Sequence, residues 1–208
     1  DKEDAADIAG QLIEMGRERD ITGIILDGYG ILMRLDIHDE RRMEEIISET
    51  KEIIDEEVFV IRNLWILLSM AEYYMRTGEF DRAAVSINYT IDRAIEAGAR
   101  TILMEAHRLY AKIEKLKGKR DEYLKKYRDA LDTLLDISST MEDENRDYYL
   151  KDNKNMIDEL IDSYADTGNE TLAISLLKKL PGELRDGIIE KKRKNSPYFF
   201  ESVEENLG

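Results

Sequence analysis

The stretch between Asn63 and Gly98 constrains the fold of this chain more than any other. It contains two runs of apolar residues at three- and four-residue spacing, separated by a short break at residues 76–79. That spacing places the apolar side chains on one face of an α-helix. Gly78 follows the first run, where a helix end often requires a left-handed backbone conformation. The stretch therefore predicts a hairpin of two helices joined by a tight turn.

The remaining sequence predicts further helices and little sheet. Apolar and polar residues show no sustained alternation, and the chain has two prolines and 12 glycines. We expect an all-α fold with helices at about 3–18, 20–36, 39–57, 60–77, 80–97, 100–117, 119–138, 143–167, 169–180 and 182–194. A polar segment precedes the helix that starts near Asp143, and this helix is expected to be longer than its neighbours.

The hairpin resembles the tetratricopeptide repeat. Leu67, Met70, Ala71 and Tyr74 match the first half of that repeat's motif, and Ala83 opens the second half. In this arrangement the small residues let the two helices approach closely, and the bulky residues fill the space beside them.

Other copies of the motif are weaker. The small-residue position in the first helix of each hairpin aligns at Gly30, Ala71 and Ala111, and more weakly at Ile161. The steps of 41, 40 and 50 residues exceed the roughly 34 of the standard repeat. A proline normally ends the unit, and Ile95 stands there instead. The resemblance implies a right-handed α-α superhelix of stacked antiparallel hairpins. We expect one domain over 1–208, with a preceding-repeat helix or cap at 1–19, four hairpins over 20–181, and a capping helix and tail over 182–208.

The resemblance also implies a function and a set of site residues. Proteins of this family bind a peptide or protein segment in their concave groove, often as adaptor or regulatory parts of larger signalling or transcription-regulatory proteins. Seven first-helix positions would line the groove here: Arg34, Trp65, Glu72, Arg76, Arg108, Lys112 and Lys115. The cations among them would contact an acidic, C-terminal or phosphorylated partner segment. The alternative is an internal ladder of ion pairs with Glu72 and Glu105, which would leave no trace in function.

Composition excludes several classes of partner and location. With 31 basic against 46 acidic side chains the net charge is −15, which repels nucleic acids and anionic membranes. The sequence contains no apolar run long enough to span a bilayer and no cysteine. It begins without a methionine or a signal-peptide pattern. We expect a cytoplasmic protein that is a fragment of a longer chain, and a homodimer stays open.

Neither the histidines nor the common catalytic motifs indicate a catalytic or metal site in the sequence. The two histidines, His38 and His107, are 69 residues apart, and neither belongs to a metal-binding helix pair. No phosphate-binding loop or nucleophile elbow occurs. We expect no cofactor, no metal and no enzymatic activity. The alternatives are an α-helical enzyme that uses clustered carboxylates, and an oligomerisation spacer.

The C-terminal region contains a basic tetrad at residues 191–194, followed by three aromatic residues. Four cations can form a nuclear or nucleic-acid signal, but they also suit the last turn of a helix, because its dipole favours positive charge. Tyr198, Phe199 and Phe200 are expected to fold back as a cap over the last apolar helix face.

Overall fold

The computed structural model describes residues 2–35, 39–56, 61–194 and 196–207. Within these ranges the chain forms twelve α-helices and no strand, which confirms the all-α expectation. Their bounds are α1 (Lys2–Glu18), α2 (Thr22–Arg34), α3 (Glu40–Glu56), α4 (Ile61–Arg76), α5 (Phe80–Glu96), α6 (Arg100–Leu116), α7 (Arg120–Ser139), α8 (Asp143–Asp152), α9 (Lys154–Thr167), α10 (Glu170–Leu177), α11 (Gly182–Arg193) and α12 (Pro197–Glu205).

The chain divides into two compact units, Asp1–Lys126 and Tyr127–Gly208, and α7 contributes residues to both. In the first unit α1 packs on α2, α4 packs on α5, and α5 packs on α6. The first helices of the predicted hairpins, α2, α4 and α6, also contact one another, since α2 and α6 both pack on α4.

Small residues allow the close helix crossings of the first unit. A Cβ added at Gly28 of α2 would lie 2.8 Å from the carbonyl oxygen of Ala9, and one at Gly30 would lie 2.9 Å from Cδ1 of Ile66. A side chain at Gly28 would collide with the backbone of α1, and one at Gly30 would displace the Ile66 side chain of α4, so both glycines favour the close packing of these helices. Between α4 and α5, Ser86 Oγ donates to the carbonyl of Leu67 at 2.9 Å.

One turn recurs between successive helices of the first unit. Gly78, Gly98 and Gly118 lie 20 residues apart, and all three have positive φ, at 81°, 64° and 73°. The residue after each glycine donates its N–H to a carbonyl five residues earlier, at 2.8–2.9 Å. These are Schellman turns, in which glycine avoids the steric cost of the left-handed region.

Helix α3 is connected to α1 and α2 by a polar cluster. Arg17 Nη2 donates to Tyr29 Oη at 2.9 Å and to both carboxylate oxygens of Glu49, at 3.0 and 2.9 Å. Burial alone would raise the pKa of Glu49, but hydrogen bonds from Tyr29 and Arg17 outweigh burial and lower it. Met43 and Ile47 of the same helix are buried in the core.

In the second unit the expected single helix over 143–167 is wrong, because the chain forms α8 and α9 with a break at Asn153. The side-chain amide of Asn153 donates to the carbonyl of Tyr149 at 3.0 Å. Asparagine competes in this way with the backbone bonds that would continue a helix, and periodicity does not show that competition.

The C-terminal aromatic residues begin an additional helix rather than an irregular cap. Within α12, which packs on α10 and α11, Phe200 and Val203 are fully buried. Tyr198 is 86% exposed, so the prediction that it folds back over the core is wrong. Pro197 occupies the first helical position, and its fixed φ suits the start of a helix. His38, one of the two histidines, lies outside the described residues.

Candidate functional site

A cleft of about 580 Å³ lies between α2 and α4 in the first unit. Trp65 lines it in a half-buried state, together with the apolar side chains of Ile31 and Ile66. Two arginines, Arg34 from α2 and Arg62 from α4, also line the cleft. The cleft therefore combines a large aromatic surface with two guanidinium groups.

The position of Arg62 depends on a residue of α2 that has no side chain. A Cβ added at Gly23 would lie 1.8 Å from Nη1 of Arg62, so any other residue would displace the guanidinium. Arg62 Nε also lies 3.6 Å from a carboxylate oxygen of Asp27, one turn further along α2. The backbone at Gly23 and the carboxylate of Asp27 thus both lie beside the Arg62 guanidinium at the cleft.

Arg34 reaches across the cleft to α4. Its Nε donates to Ser69 Oγ at 3.0 Å and lies 3.7 Å from a carboxylate oxygen of Glu72. Ser69 Oγ in turn donates to the carbonyl of Trp65 at 3.0 Å. The predicted residues Arg34, Trp65 and Glu72 are therefore neighbours.

Arg76 has a different position from the other predicted groove residues. Its Nη2 donates to the carbonyl of Leu35 at 3.2 Å and also to the carbonyl of Met33. These carbonyls lie at the C-terminal end of α2, where a helix leaves acceptors without intrahelical partners. Arg76 caps α2, and a cation at that end also suits the helix dipole.

The predicted residues of α6 are distributed along that helix. Arg108 Nη1 lies 3.4 Å from a carboxylate oxygen of Glu105, in a partly buried pair. Lys112, one turn further on, is half-buried. Lys115 Nζ lies 5.3 Å from the ring centre of Tyr123 on α7, a cation–π contact. The internal pairs with Glu72 and Glu105 that the sequence left open are therefore present.

The sequence reasoning missed Arg62 and Ser69. Both share the helix face of Trp65, three residues before it and four after it, so extending that face by one turn each way finds them. The close approach at Gly23 gives no comparable signal, because it depends on where α2 and α4 cross.

The basic tetrad of α11 has partners inside the second unit. Lys191 Nζ lies 3.0 Å from a carboxylate oxygen of Asp158, and Lys192, which is almost fully buried, pairs with Asp162. Arg193 pairs with Glu204 of α12. Three of the four cations thus connect α11 to α9 and α12, and Lys191 and Arg193 stay partly exposed at the surface.

The described residues show neither a metal cluster nor a membrane span. Over 2–35, 39–56, 61–194 and 196–207 no three acidic or histidine side chains are grouped as metal ligands. In the same ranges no helix is both long and apolar enough to cross a bilayer. His107 lies half-buried on α6.

Comparisons with known proteins give one structural likeness. No family model matches the sequence, and no curated protein matches it. The crystal structure of BtubC (BKLC) from P. vanneervenii superposes with a TM-score of 0.67. The match covers 99% of this chain and 81% of that chain, at 18% sequence identity. At this identity the likeness shows that the two chains share an all-α fold, and it shows the fold alone.

Proposed function

We propose that this chain is a protein-interaction module that binds a peptide or protein segment along its first helices, α2, α4 and α6. In this proposal the helices form a tetratricopeptide-like superhelix, and the chain acts as an adaptor or regulatory element. Two observations support the repeat architecture: the Schellman turns recur every 20 residues, and α4 packs on both α2 and α6. Stacked hairpins of this kind present their first helices along one extended surface.

The observation that carries the proposal is that Trp65, Arg34 and Arg62 line the same cleft between α2 and α4. Tryptophan and arginine are the residues most enriched among the energetic anchors of protein interfaces. Both guanidinium groups are about half exposed, so they remain accessible to a partner.

The charges favour an acidic or phosphorylated segment. The acids nearest to Arg34, Arg62 and Arg108 lie 3.4–3.7 Å away, longer than the roughly 2.7–2.9 Å of a well-formed charge-assisted hydrogen bond. These internal acids therefore neutralise the cations only loosely. A carboxylate or phosphate from a partner can form the shorter bonds that the internal pairs do not make.

The single tryptophan of the chain permits a direct test. The probes are three synthetic peptide pools of equal length, rich in acidic residues, in phosphoserine, or in serine and glutamine. We expect the acidic and phosphorylated pools, but not the neutral pool, to change the emission of Trp65, because binding alters its surroundings. The same response from all three pools would contradict the charge preference.

Charge reversal then decides between binding and internal pairing. Arg108→Glu together with Lys112→Glu should weaken binding of the acidic pool by about tenfold or more while the helical circular dichroism is kept. The matched control is Arg120→Glu with Lys125→Glu, two exposed cations of α7. The groove assignment fails if the reversed variant binds as tightly as the control at both low and moderate salt.

A further inference from the structure

The two arginines of the α2–α4 cleft lie at different levels along α2. Arg62 lies against Gly23, since a Cβ added there would be 1.8 Å from its Nη1. Arg34 Nε lies 3.0 Å from Ser69 Oγ, and that oxygen would be 3.8 Å from a Cβ added at Gly30. The guanidinium of Arg62 is thus at the level of Gly23, and that of Arg34 is near the level of Gly30.

These two levels are about 10 Å apart along the helices. Gly23 and Gly30 are seven residues apart on α2, and a helix rises about 1.5 Å per residue, which gives roughly 10 Å. On α4, Arg62 and Ser69 are also seven residues apart, which gives the same distance of roughly 10 Å. Trp65 lies between these two residues on α4 and lines the cleft. The cleft therefore has a cation at each of two levels and an aromatic ring between them.

The terminal nitrogens of both guanidinium groups are accessible to a ligand. The internal acids contact Nε: Glu72 lies 3.7 Å from Nε of Arg34, and Asp27 lies 3.6 Å from Nε of Arg62. Within the described residues no hydrogen bond involves Nη1 or Nη2 of either arginine, and both side chains are about half exposed. Because terminal guanidinium N–H groups bind oxyanions well, the cleft offers two separate positions for an anion.

The middle of the cleft disfavours a third anion. Asp27 lines the cleft, four residues after Gly23 and three before Gly30. A carboxylate at this level would face the like charge of Asp27, whereas an apolar side chain would meet Ile31 and Trp65, which also line the cleft. The internal acid thus restricts where a partner places its own acids.

The size of the cleft favours an extended segment over a helix. A helix that spans about 10 Å has seven residues, and with a diameter of about 10–12 Å it occupies roughly 800 Å³ or more. The cleft has a volume of about 580 Å³. An extended chain in the polyproline II conformation has three residues per turn and advances about 3.1 Å per residue, so side chains i and i+3 lie about 9 Å apart on one side. Two acids at this spacing match the two arginines.

We propose that the α2–α4 cleft binds an extended segment of a partner protein that has carboxylates at positions i and i+3 and an apolar residue between them. This inference rests on the proposed function and specifies the partner of the same site. One carboxylate binds Arg62, the other binds Arg34, and the apolar side chain packs on Trp65. Carboxylates suit the cleft better than phosphates, because a phosphate dianion would be repelled more strongly by Asp27 and Glu72.

The first experiment varies only the spacing of two carboxylates. The probes are proline-rich peptides of about twelve residues, which favour the polyproline II conformation. Each has two glutamates two, three or four positions apart and one leucine between them. All have the same composition and net charge, so general electrostatic attraction is equal. We expect the peptide with a spacing of three to bind about fivefold more tightly than the others, measured by the emission of Trp65.

Two further peptides test the conformation and the anion. An alanine-rich helical peptide with glutamates seven positions apart spans about the same 10 Å, and should bind more weakly than the best proline-rich peptide. A proline-rich peptide with phosphoserine at both acidic positions should also bind more weakly. Tighter binding of the helical peptide would overturn the extended segment, and tighter binding of the phosphorylated one would overturn the choice of carboxylate.

The outcomes separate this inference from the proposed function. Equal affinity at all spacings would overturn the i, i+3 segment, while the cleft would still bind an acidic partner. Absence of binding by every acidic peptide would overturn the proposed function and this inference with it.

Charge removal in protein and peptide assigns the contacts. Arg34→Gln and Arg62→Gln should each weaken binding of the best peptide by about fivefold, and each arginine should couple to a different glutamate when that glutamate is replaced by glutamine. The matched control is Arg41→Gln, an exposed arginine of α3 that lies 3.3 Å from Glu45 and should leave the affinity unchanged. Coupling of both arginines to the same glutamate would contradict the two anion positions.

A third glutamate tests the role of Asp27. Replacement of the leucine between the two glutamates by glutamate should weaken binding, because the added carboxylate faces Asp27. Asp27→Asn should remove part of that loss. A third glutamate that tightens binding to the unchanged protein would overturn the assigned middle position.

Gly23→Ala tests the position of Arg62 without a change of charge. The added Cβ meets the end of a flexible side chain, so the guanidinium moves and the helix is kept. The affinity should fall as in Arg62→Gln, and the preference for a spacing of three should disappear, with circular dichroism unchanged. The matched control is Gly10→Ala on α1, where an added Cβ meets nothing within 4 Å. A Gly23→Ala variant that keeps the full spacing preference would overturn the proposal.

Discussion

Asp20 ends α1 in a left-handed backbone conformation, with φ at 53°. The N–H of Ile21 donates to the carbonyl of Gly16 at 2.8 Å, which is the hydrogen-bond pattern of the glycine-containing turns. A residue with a Cβ pays a steric cost in this region that glycine avoids. Aspartate thus occupies the position that glycine has in the turns after α4, α5 and α6.

Replacing Asp20 with glycine should therefore stabilise the protein by about 0.5–1 kcal/mol, after the greater backbone freedom of glycine in the unfolded chain is counted. The matched control is Gly78→Ala, where an added Cβ meets nothing within 4 Å and only the backbone conformation is penalised. It should destabilise the protein by a similar amount. Chemical denaturation measures both, and a shift of the same sign in the two variants would contradict this account.

Ala71 tests the close packing within the first hairpin. It is fully buried on α4, in the core cluster that also contains Ala83 of α5. Ala71→Leu adds three carbon atoms to a packed interior and should cost about 1–3 kcal/mol by overpacking. Thermal unfolding followed by circular dichroism measures this loss. An unchanged melting temperature would count against the assigned repeat register.

Among the helices, α12 covers apolar surface in the second unit. Phe200 and Val203 are buried, and Ser202 Oγ donates to a carboxylate oxygen of Glu170 on α10 at 2.7 Å. The helix therefore contributes core residues to the unit. Its position also depends on the basic residues of α11, since Arg193 pairs with Glu204.

Phe200→Ala should cost about 3–5 kcal/mol, because it removes a large buried ring and leaves a cavity. Tyr198→Ala, on the same helix but 86% exposed, should change stability by less than about 0.5 kcal/mol. Denaturant titration of both variants gives the comparison. Deletion of residues 196–207 should increase dye binding to exposed apolar surface and raise aggregation, and a deletion variant that stays monomeric and binds no dye would contradict this role.

In the protein as a whole, buried and paired ionisable groups determine the pH range over which the folded state is stable. Hydrogen bonds and charge from Arg17 and Tyr29 lower the pKa of Glu49 against the effect of burial, and the hydrogen bond from Arg82 lowers the pKa of Glu79. A carboxyl whose pKa is lower in the folded state stabilises above its unfolded pKa, roughly 4.3, and this contribution is lost as the pH falls through the folded value.

We therefore expect the free energy of unfolding to fall as the pH drops below about 4.5. Glu49→Gln should lower the free energy of unfolding by about 0.5–1 kcal/mol at pH 7, a figure reduced for the solvent exposure of the Arg17–Glu49 pair. The variant should also lose less stability than the unchanged protein as the pH falls, which gives a flatter acid limb of the curve of unfolding free energy against pH. Denaturant unfolding over a series of pH values measures both effects. Glu52→Gln, an exposed acid on the same helix, serves as the control. An acid limb as steep in Glu49→Gln as in the control would be inconsistent with this assignment.

At high pH the buried tyrosines act in the opposite direction. Burial raises the pKa of Tyr29 and of Tyr164 above the ordinary value of 10.0. The contribution of these two tyrosines to the free energy of unfolding is complete below their pKa in the unfolded chain. It is lost as the pH rises through 10 towards their pKa in the folded protein. Tyr164→Phe should thus reduce the fall in unfolding free energy at high pH in the same series. Replacement of the exposed Tyr148 by phenylalanine should leave that fall unchanged.

The sequence by itself determined most of the helices, their approximate bounds and the turns that contain glycine. Apolar spacing and the glycines at 78, 98 and 118 are local signals, because a helix face and a left-handed end depend on residues within a few positions. Asn153 shows the limit of such signals, since apolar spacing predicts one helix over 143–167 and the chain divides there into α8 and α9.

Only the tertiary structure decided which charged groups meet and where the clefts lie. Arg76 caps the end of α2, more than 40 residues earlier in the chain, and Lys192 of α11 pairs with Asp162 of α9. Such partners depend on how helices pack, and contacts worth about 0–1 kcal/mol at a surface leave no periodic trace in a sequence. The cleft between α2 and α4 likewise depends on how two helices cross, which neither helix encodes in its own residues.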